Sequence, residues 1–424
     1  MRKGRHYRPQ RRSVWPVVLL AVLAAGVTAS LLFLRLPQQA EAPAVFDWSS
    51  APERGPEPVP DLEPDPEPEP APEPAELVLA EMTLREKICQ MFIVAPETIA
   101  GRNEMTSAGE GTRQALEEHP VGGFLYDMTN MVSQEQLRTM LADVQGYARI
   151  PLLFVCDEEG GRVNRLMGSV GTTRFDPMLR YKDEGVDAAR DNARTIGADM
   201  AACGFNMDFA PVADVWSNPQ NKVIGDRAYS DDFQQAAELV AAAVEGFHEG
   251  GVACTLKHFP GHGDTSADSH YGSAYVHKTL DALREAELLP FQAGINAGAD
   301  VVMMGHLIAG QVDDQPALFS YVIVTELLRG EMGFDGVVIT DSLQMQAMTD
   351  HYGSAEIAVK AVQAGVDMLL CPMSLDKAVD ALAQAVEEEE ISEERLDESV
   401  LRILRLKQRY GLLESMEPET VLEK

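Results

Sequence analysis

Between Lys257 and His270 the chain reads K-H-F-P-G-H-G-D-T-S-A-D-S-H, fourteen residues that gather two carboxylates, three imidazoles and an amine behind an apolar run. Such groups are costly to bury without partners. Far along the chain, G-V-V-I-T-D-S-L sets another carboxylate, Asp341, at the end of a second apolar run. Together they suggest a site in which one residue protonates a leaving group and another attacks carbon.

An aspartate two residues before a histidine, as in Asp268-Ser269-His270, can accept the ring N–H, orient the imidazole and raise its basicity. A histidine held this way can act as general acid and then as general base, although a loop pair of this type also bonds local backbone. Asp341 precedes Ser342-Leu343-Gln344-Met345, where a helix is expected to begin, so its carboxylate either faces the strand ends or caps that helix. Lys257 and His258 suit hydrogen bonding to hydroxyl groups, and Lys257 also suits holding a carboxylate. The spacing of His258, His262 and His270 fits no familiar zinc pattern, and Lys257 opposes a cation, so no metal is expected. Gly160-Gly161 and Gly261-x-Gly263 match neither a P-loop nor a dinucleotide fingerprint, and no cofactor is expected.

The elements that must position these residues show as apolar runs at Gln90–Val94, Val121–Tyr126, Pro151–Cys156, Phe205–Pro211, Val252–Phe259, Asp300–His306, Gly336–Asp341 and Val366–Pro372. Amphipathic stretches separate them, among them Ser133–Ala148, Asp187–Cys203, Asp232–Glu249, Ala282–Ala297, Ser320–Glu331 and Ala355–Ala364. Continuous apolar strands with helical crossovers imply parallel pairing, and eight repeats predict an α/β fold of the (β/α)8 TIM-like barrel type, with a doubly wound open sheet as the alternative. Ionisable residues follow five of the runs, at Asp157, Asp214, Lys257-His258, His306 and Asp341, the ends where a barrel carries its chemistry. The segment from Ser392 to Gly411 reads as a last helix, capped by Ser392 and stopped by Gly411.

The first 76 residues differ in kind. Residues 1–13 are basic, and residues 14–36 hold 21 successive uncharged positions from Val14 to Leu34, enough for a bilayer-spanning helix. The prediction is a transmembrane signal anchor with the basic flank in the cytoplasm and the remainder outside, at the cell membrane, or a secreted domain if the segment is cleaved near Ala40-Glu41-Ala42. Residues 37–76 form an acidic, proline-rich linker that cannot pack a core and is expected to be disordered. Residues 77–415 form the catalytic domain and residues 416–424 an acidic tail. The net charge is −32, and setting aside seven basic residues near the anchor leaves −39, a surface that repels phosphate backbones and excludes nucleic acid as a partner. The five cysteines show no zinc or redox spacing and are expected to be buried thiols.

K-H-F-P-G-H-G-D-T-S-A-D-S-H, together with D-E-E-G-G-R-V-N-R, V-I-G-D-R-A-Y and V-I-T-D-S-L-Q-M, resembles the β-N-acetylglucosaminidase branch of glycoside hydrolase family 3 over residues 78–415. The resemblance implies a barrel in which Asp341 is the nucleophile and Asp268 and His270 form the acid/base dyad. It places Asp157, Arg165, Arg227, Lys257 and His258 at sugar-binding positions. It further implies a retaining, exo-acting hydrolase of terminal β-linked N-acetylglucosamine on peptidoglycan fragments or related glycans. The chain is expected to act as a monomer. A glycan-binding domain without activity and a glycoside phosphorylase are the alternatives.

Overall fold

The computed structural model describes residues 72–265 and 274–414. Eight of its strands come from the eight apolar runs: β1 (Phe92–Val94), β2 (Gly123–Leu125), β3 (Leu153–Cys156), β4 (Met207–Asp208), β5 (Thr255–Phe259), β7 (Val301–Met304), β9 (Val337–Thr340) and β10 (Leu369–Leu370). Two short additions, β6 (Ala274–Tyr275) and β8 (Leu307–Ile308), pair with each other. Every strand pairing is parallel, and the eight strands from the apolar runs are buried on both faces, as continuous apolar runs require.

The expected single (β/α)8 barrel is corrected by the strand order. The ladder is divided into a five-stranded sheet, β10-β1-β2-β3-β4, and a three-stranded sheet, β5-β7-β9. Between them lie only isolated parallel bridges, Met207 to Ala253, Val212 to Lys257 and Ile339 to Met368. The interruptions have local causes. Beyond β4, Pro211 has no N–H to offer a neighbouring strand. Between β9 and β10, side chains replace backbone partners: the Asp367 carboxylate takes the Val338 N–H at 2.9 Å, and Thr340 Oγ1 takes the Leu370 N–H at 3.0 Å.

The anchor expected over residues 14–36 and nearly all of the linker fall outside the described residues, as does the localisation that rests on them. Among the described residues no helix is long and apolar enough to cross a membrane. The fold is therefore an α/β domain on two parallel sheets, without the predicted spanning helix as a described element.

The crossover helices pack around these sheets and share one continuous apolar core with them. Helix Gln134–Tyr147 starts at Ser133, whose hydroxyl accepts from Gln136 N, and helix Phe233–Glu249 starts at Asp232, which accepts from Gln235 N. The stretch expected as one helix over 282–297 breaks into Leu280–Arg284 and Leu288–Asn296, and Val322–Glu331 winds with π-type turns. Helix Leu375–Glu387 was not anticipated, whereas Glu393–Arg409 was, with Ser392 accepting from Arg395 N at 3.1 Å. All five cysteines are buried free thiols.

Candidate active site

A cleft of about 480 Å³ opens where β3, β5 and β9 end, and Asp157, Arg165, Arg227, Lys257, His258 and Asp341 all line it. Six of the eight residues singled out in the sequence thus come together. Asp268 and His270 lie outside the described residues.

Asp341 is delivered by β9, and its own N–H bonds the Met304 carbonyl of β7 at 2.9 Å, which fixes the backbone. It does not cap the following helix, which runs over Gln346–Thr349 from an N-cap at Met345. One carboxylate oxygen accepts the Ser342 N–H at 2.7 Å. Burial pushes this carboxyl up, but His306, His258, the Ser342 N–H and Lys257 outweigh it and hold the group below the usual carboxylate range. The result is an ionised carboxylate at neutral pH.

Opposing charges brace the adjoining wall. Lys257 Nζ lies 2.7 Å from Asp157 Oδ1 and 2.6 Å from Glu159 Oε1, while Arg227 grips Glu159 with two bonds of 2.7 Å each. Burial acts against all three ionised groups. Even so, Arg227 and Lys257 hold the Glu159 carboxyl far below the carboxylate range, and Asp157 and Glu159 push the Lys257 amine above its ordinary value. Pairing is what allows charges to sit this deep. Arg165 joins from the side, 2.7 Å from Asp127 and 3.5 Å from Asp157.

Arg227 lines the cleft, yet its Nε and Nη2 are committed to Glu159 and its Nη1 to the Val223 carbonyl at 3.1 Å, so it shapes the wall more than it offers donors. Glu159, the partner that makes this possible, was not singled out. Its signal was the third acidic residue of D-E-E-G-G-R, but sequence does not say which of adjacent carboxylates turns inward. His306, a strand-end residue in the sequence pattern, donates from Nε2 to the Ser342 carbonyl at 2.8 Å beside the nucleophile candidate.

An α/β domain that collects its ionisable groups in a crevice outside the carboxyl ends of parallel strands belongs to the wide class of α/β enzymes. Within that class the comparisons are specific. The model for the glycosyl hydrolase family 3 N terminal domain matches residues 83–406, and the chain belongs to that family. It is similar to beta-hexosaminidase A of Pseudoalteromonas piscicida, 32% identical over 336 residues that make up 72% of this chain and 56% of that protein. A beta-hexosaminidase of Xanthomonas oryzae pv. oryzae is 37% identical over 265 residues, 61% of this chain and 78% of its own. Among solved structures, a glycoside hydrolase family 3 beta-N-acetylglucosaminidase from Paenibacillus sp. str. FPU-7 superposes with a TM-score of 0.73 at 39% identity, over 78% of this chain and 63% of that one. The chain thus spans little more than half the length of the first of these relatives.

Proposed function

We propose that the chain is a retaining exo-β-N-acetylglucosaminidase that releases terminal N-acetylglucosamine from peptidoglycan fragments through a glycosyl ester on Asp341. The observation that carries this reading is the state of Asp341: an ionised carboxylate at a strand end, beside a cleft wall whose own charges are already paired. A retaining glycosidase divides one difficult displacement into two steps, each passing through an oxocarbenium-like transition state. In the first, Asp341 attacks the anomeric carbon while His270, oriented by Asp268, protonates the departing oxygen. In the second, the neutral imidazole takes a proton from water, which attacks the same carbon and frees Asp341.

Lys257, His258, Asp157 and Arg165 supply donors and acceptors for sugar hydroxyls along the wall. The cleft lining holds five Lys or Arg side chains, at 162, 165, 222, 227 and 257, against three carboxylates, at 157, 159 and 341. Arg162 and Arg165 are in turn paired with Asp226 and Asp127 outside the lining, which leaves Lys222 as the lining cation with no ion pair among the described residues. A point charge at the mouth suits an anionic glycan, such as one bearing a lactyl or peptide carboxylate, or phosphate as acceptor in the phosphorolytic alternative.

Hydrolysis of an aryl β-N-acetylglucosaminide by the wild type and by Asp341→Ala tests the assignment. The variant should be inactive, and azide should restore release of the aryl group by forming the glycosyl azide of opposite anomeric configuration. Equal rates for the two proteins would remove Asp341 from this role. His270→Ala should slow substrates with poor leaving groups more than those with good ones. Adding phosphate and finding sugar phosphate in place of free sugar would favour the phosphorylase.

A further inference from the structure

One buried carboxylate beside the cleft faces neither the cleft nor its charged wall. Asp214, 1% exposed, follows β4, and its Oδ2 lies 2.6 Å from His258 Nδ1 and 3.2 Å from the His258 N–H. Its Oδ1 accepts the His262 N–H at 2.6 Å. Three donors therefore converge on two oxygens, and the carboxyl is held below its usual range: burial raises it, but His258, His262 and the His262 N–H prevail.

A carboxylate in this state can only accept, so His258 must carry a proton on Nδ1. The remaining nitrogen, Nε2, is then the one His258 offers to the cleft that its ring lines. The backbone supports the same geometry. Val212 bridges Lys257, and Ala213 N donates to the Lys257 carbonyl at 2.8 Å, which fixes Asp214 relative to β5. At His262 the Asn221 amide adds a bond of 2.7 Å to the carbonyl. A side chain at Gly263 would collide with the Val215 carbonyl, so the glycine of K-H-F-P-G-H-G is required for this close approach.

We propose that Asp214 is a positioning residue that sets the tautomer and orientation of His258 for sugar contact, and that ties the same strand end at His262. The proposal rests on reading His258 as a substrate contact. It explains why the strand-four aspartate belongs to the site although it does not line the cleft.

Asparagine at this position cannot reproduce the arrangement. With its oxygen toward His258, its NH2 meets the His262 N–H. With its NH2 toward His258, that group meets the His258 N–H and requires Nδ1 to accept, which moves the ring proton to Nε2. The test is therefore spectroscopic first. In protein labelled with ¹⁵N-histidine, the His258 ring signal, assigned by its loss in His258→Ala, should show the proton fixed on Nδ1 in the wild type, and in Asp214→Asn that single tautomer should give way to a mixture with the Nε2-protonated ring. Neutral His258 protonated on Nε2 in the wild type would overturn the proposal, whether or not the variant folds.

Kinetics supplies the second arm. Asp214→Asn should raise KM for an aryl β-N-acetylglucosaminide about tenfold, the worth of one well-placed hydrogen bond, with a smaller change in kcat. In a His258→Ala background the same substitution should have little further effect on KM. Full additivity of the two would overturn the proposal. A wild type that turns over no β-N-acetylglucosaminide would instead overturn the functional reading, and the ring signal would still decide the role of Asp214.

Discussion

The two ends of the parallel strands bury charge in different ways. At the carboxyl ends, Lys257, Glu159, Asp157 and Arg227 are paired around an open cleft, and among the described residues the Asp341 carboxylate accepts one hydrogen bond, from the Ser342 N–H. At the amino ends the carboxylates are saturated. Asp300, with a side chain fully excluded from solvent, takes His248 at 2.9 Å, Arg409 at 2.7 Å, Tyr410 at 2.8 Å and the Cys254 N–H at 3.1 Å. Asp367 takes Arg329, the Val338 N–H at 2.9 Å and Ser399 at 2.6 Å. Among the described residues, His248, Cys254 and Asp300 form the one group of this kind close enough to share a cation. Yet the Asp300 carboxylate is already occupied by four donors, one of them a guanidinium. Saturated groups hold the fold, whereas groups with capacity to spare can meet a substrate.

That contrast is broken most sharply by removing one group from each end. Asp341→Ala should lower kcat by roughly 10⁴-fold, since the proposed nucleophile has no substitute, while thermal unfolding stays within a degree or two of the wild type. A large loss of stability would mean that Asp341 belongs with the structural carboxylates. Asp367→Ala should do the reverse, costing about 3–5 kcal/mol in denaturant unfolding because Arg329 is left buried without its partner. Its kcat and KM, measured on folded protein in the cold, should match the wild type.

Lys407 sharpens the comparison, because it is a structural-end charge without a counter-charge. It is fully buried, its Nζ lies 2.5 Å from Gln90 Oε1, and burial pushes its amine down to about 7. Below about 7 the amine is charged in both folded and unfolded chains, and the cost of burying the charge is complete. Between that value and the free-amine value of ~10.4 the unfolded chain holds a proton that the folded one lacks, so this group makes stability rise with pH. Lys407→Met should raise stability at neutral pH by about 2–4 kcal/mol and flatten that part of the pH curve, with Gln90 losing one partner. Unchanged stability and an unchanged slope would show that the amine stays charged and solvated.

The smallest effect belongs at the cleft mouth. Lys222 is exposed and lines the cleft, with no ion pair among the described residues. Lys222→Ala should raise KM two- to threefold for substrates with a carboxylate-bearing aglycone, an effect that fades with added salt, and leave neutral aryl glycosides unchanged. An equal change for both substrate types would remove charge as the cause.

Much of this was legible before any coordinates. The eight apolar runs became strands because strands covered on both faces must be apolar throughout, and the ionisable residues that follow them mark the cleft. What was not legible depends on which polar group a given N–H finds. Asp367 and Thr340 replace backbone partners with side chains, and Pro211 offers no donor, so a pattern that reads as one closed ladder resolves into two sheets. Helix Leu375–Glu387 was legible as well: Leu375, Val379, Leu382 and Val386 recur at helical spacing along its buried face, behind a Ser374 cap. Glu159 and Asp214 act through partners 68 and 44 residues away, and a local reading does not pair them.

The proposed function turns on a covalent bond from Asp341 to the anomeric carbon. Incubation with a slow-turnover 5-fluoro N-acetylglucosaminyl fluoride, followed by proteolysis and mass analysis, tests it most directly. One added glycosyl unit on the peptide that contains Asp341 is the predicted result. A label on another residue, or steady turnover that yields the inverted anomer without any label, would contradict it.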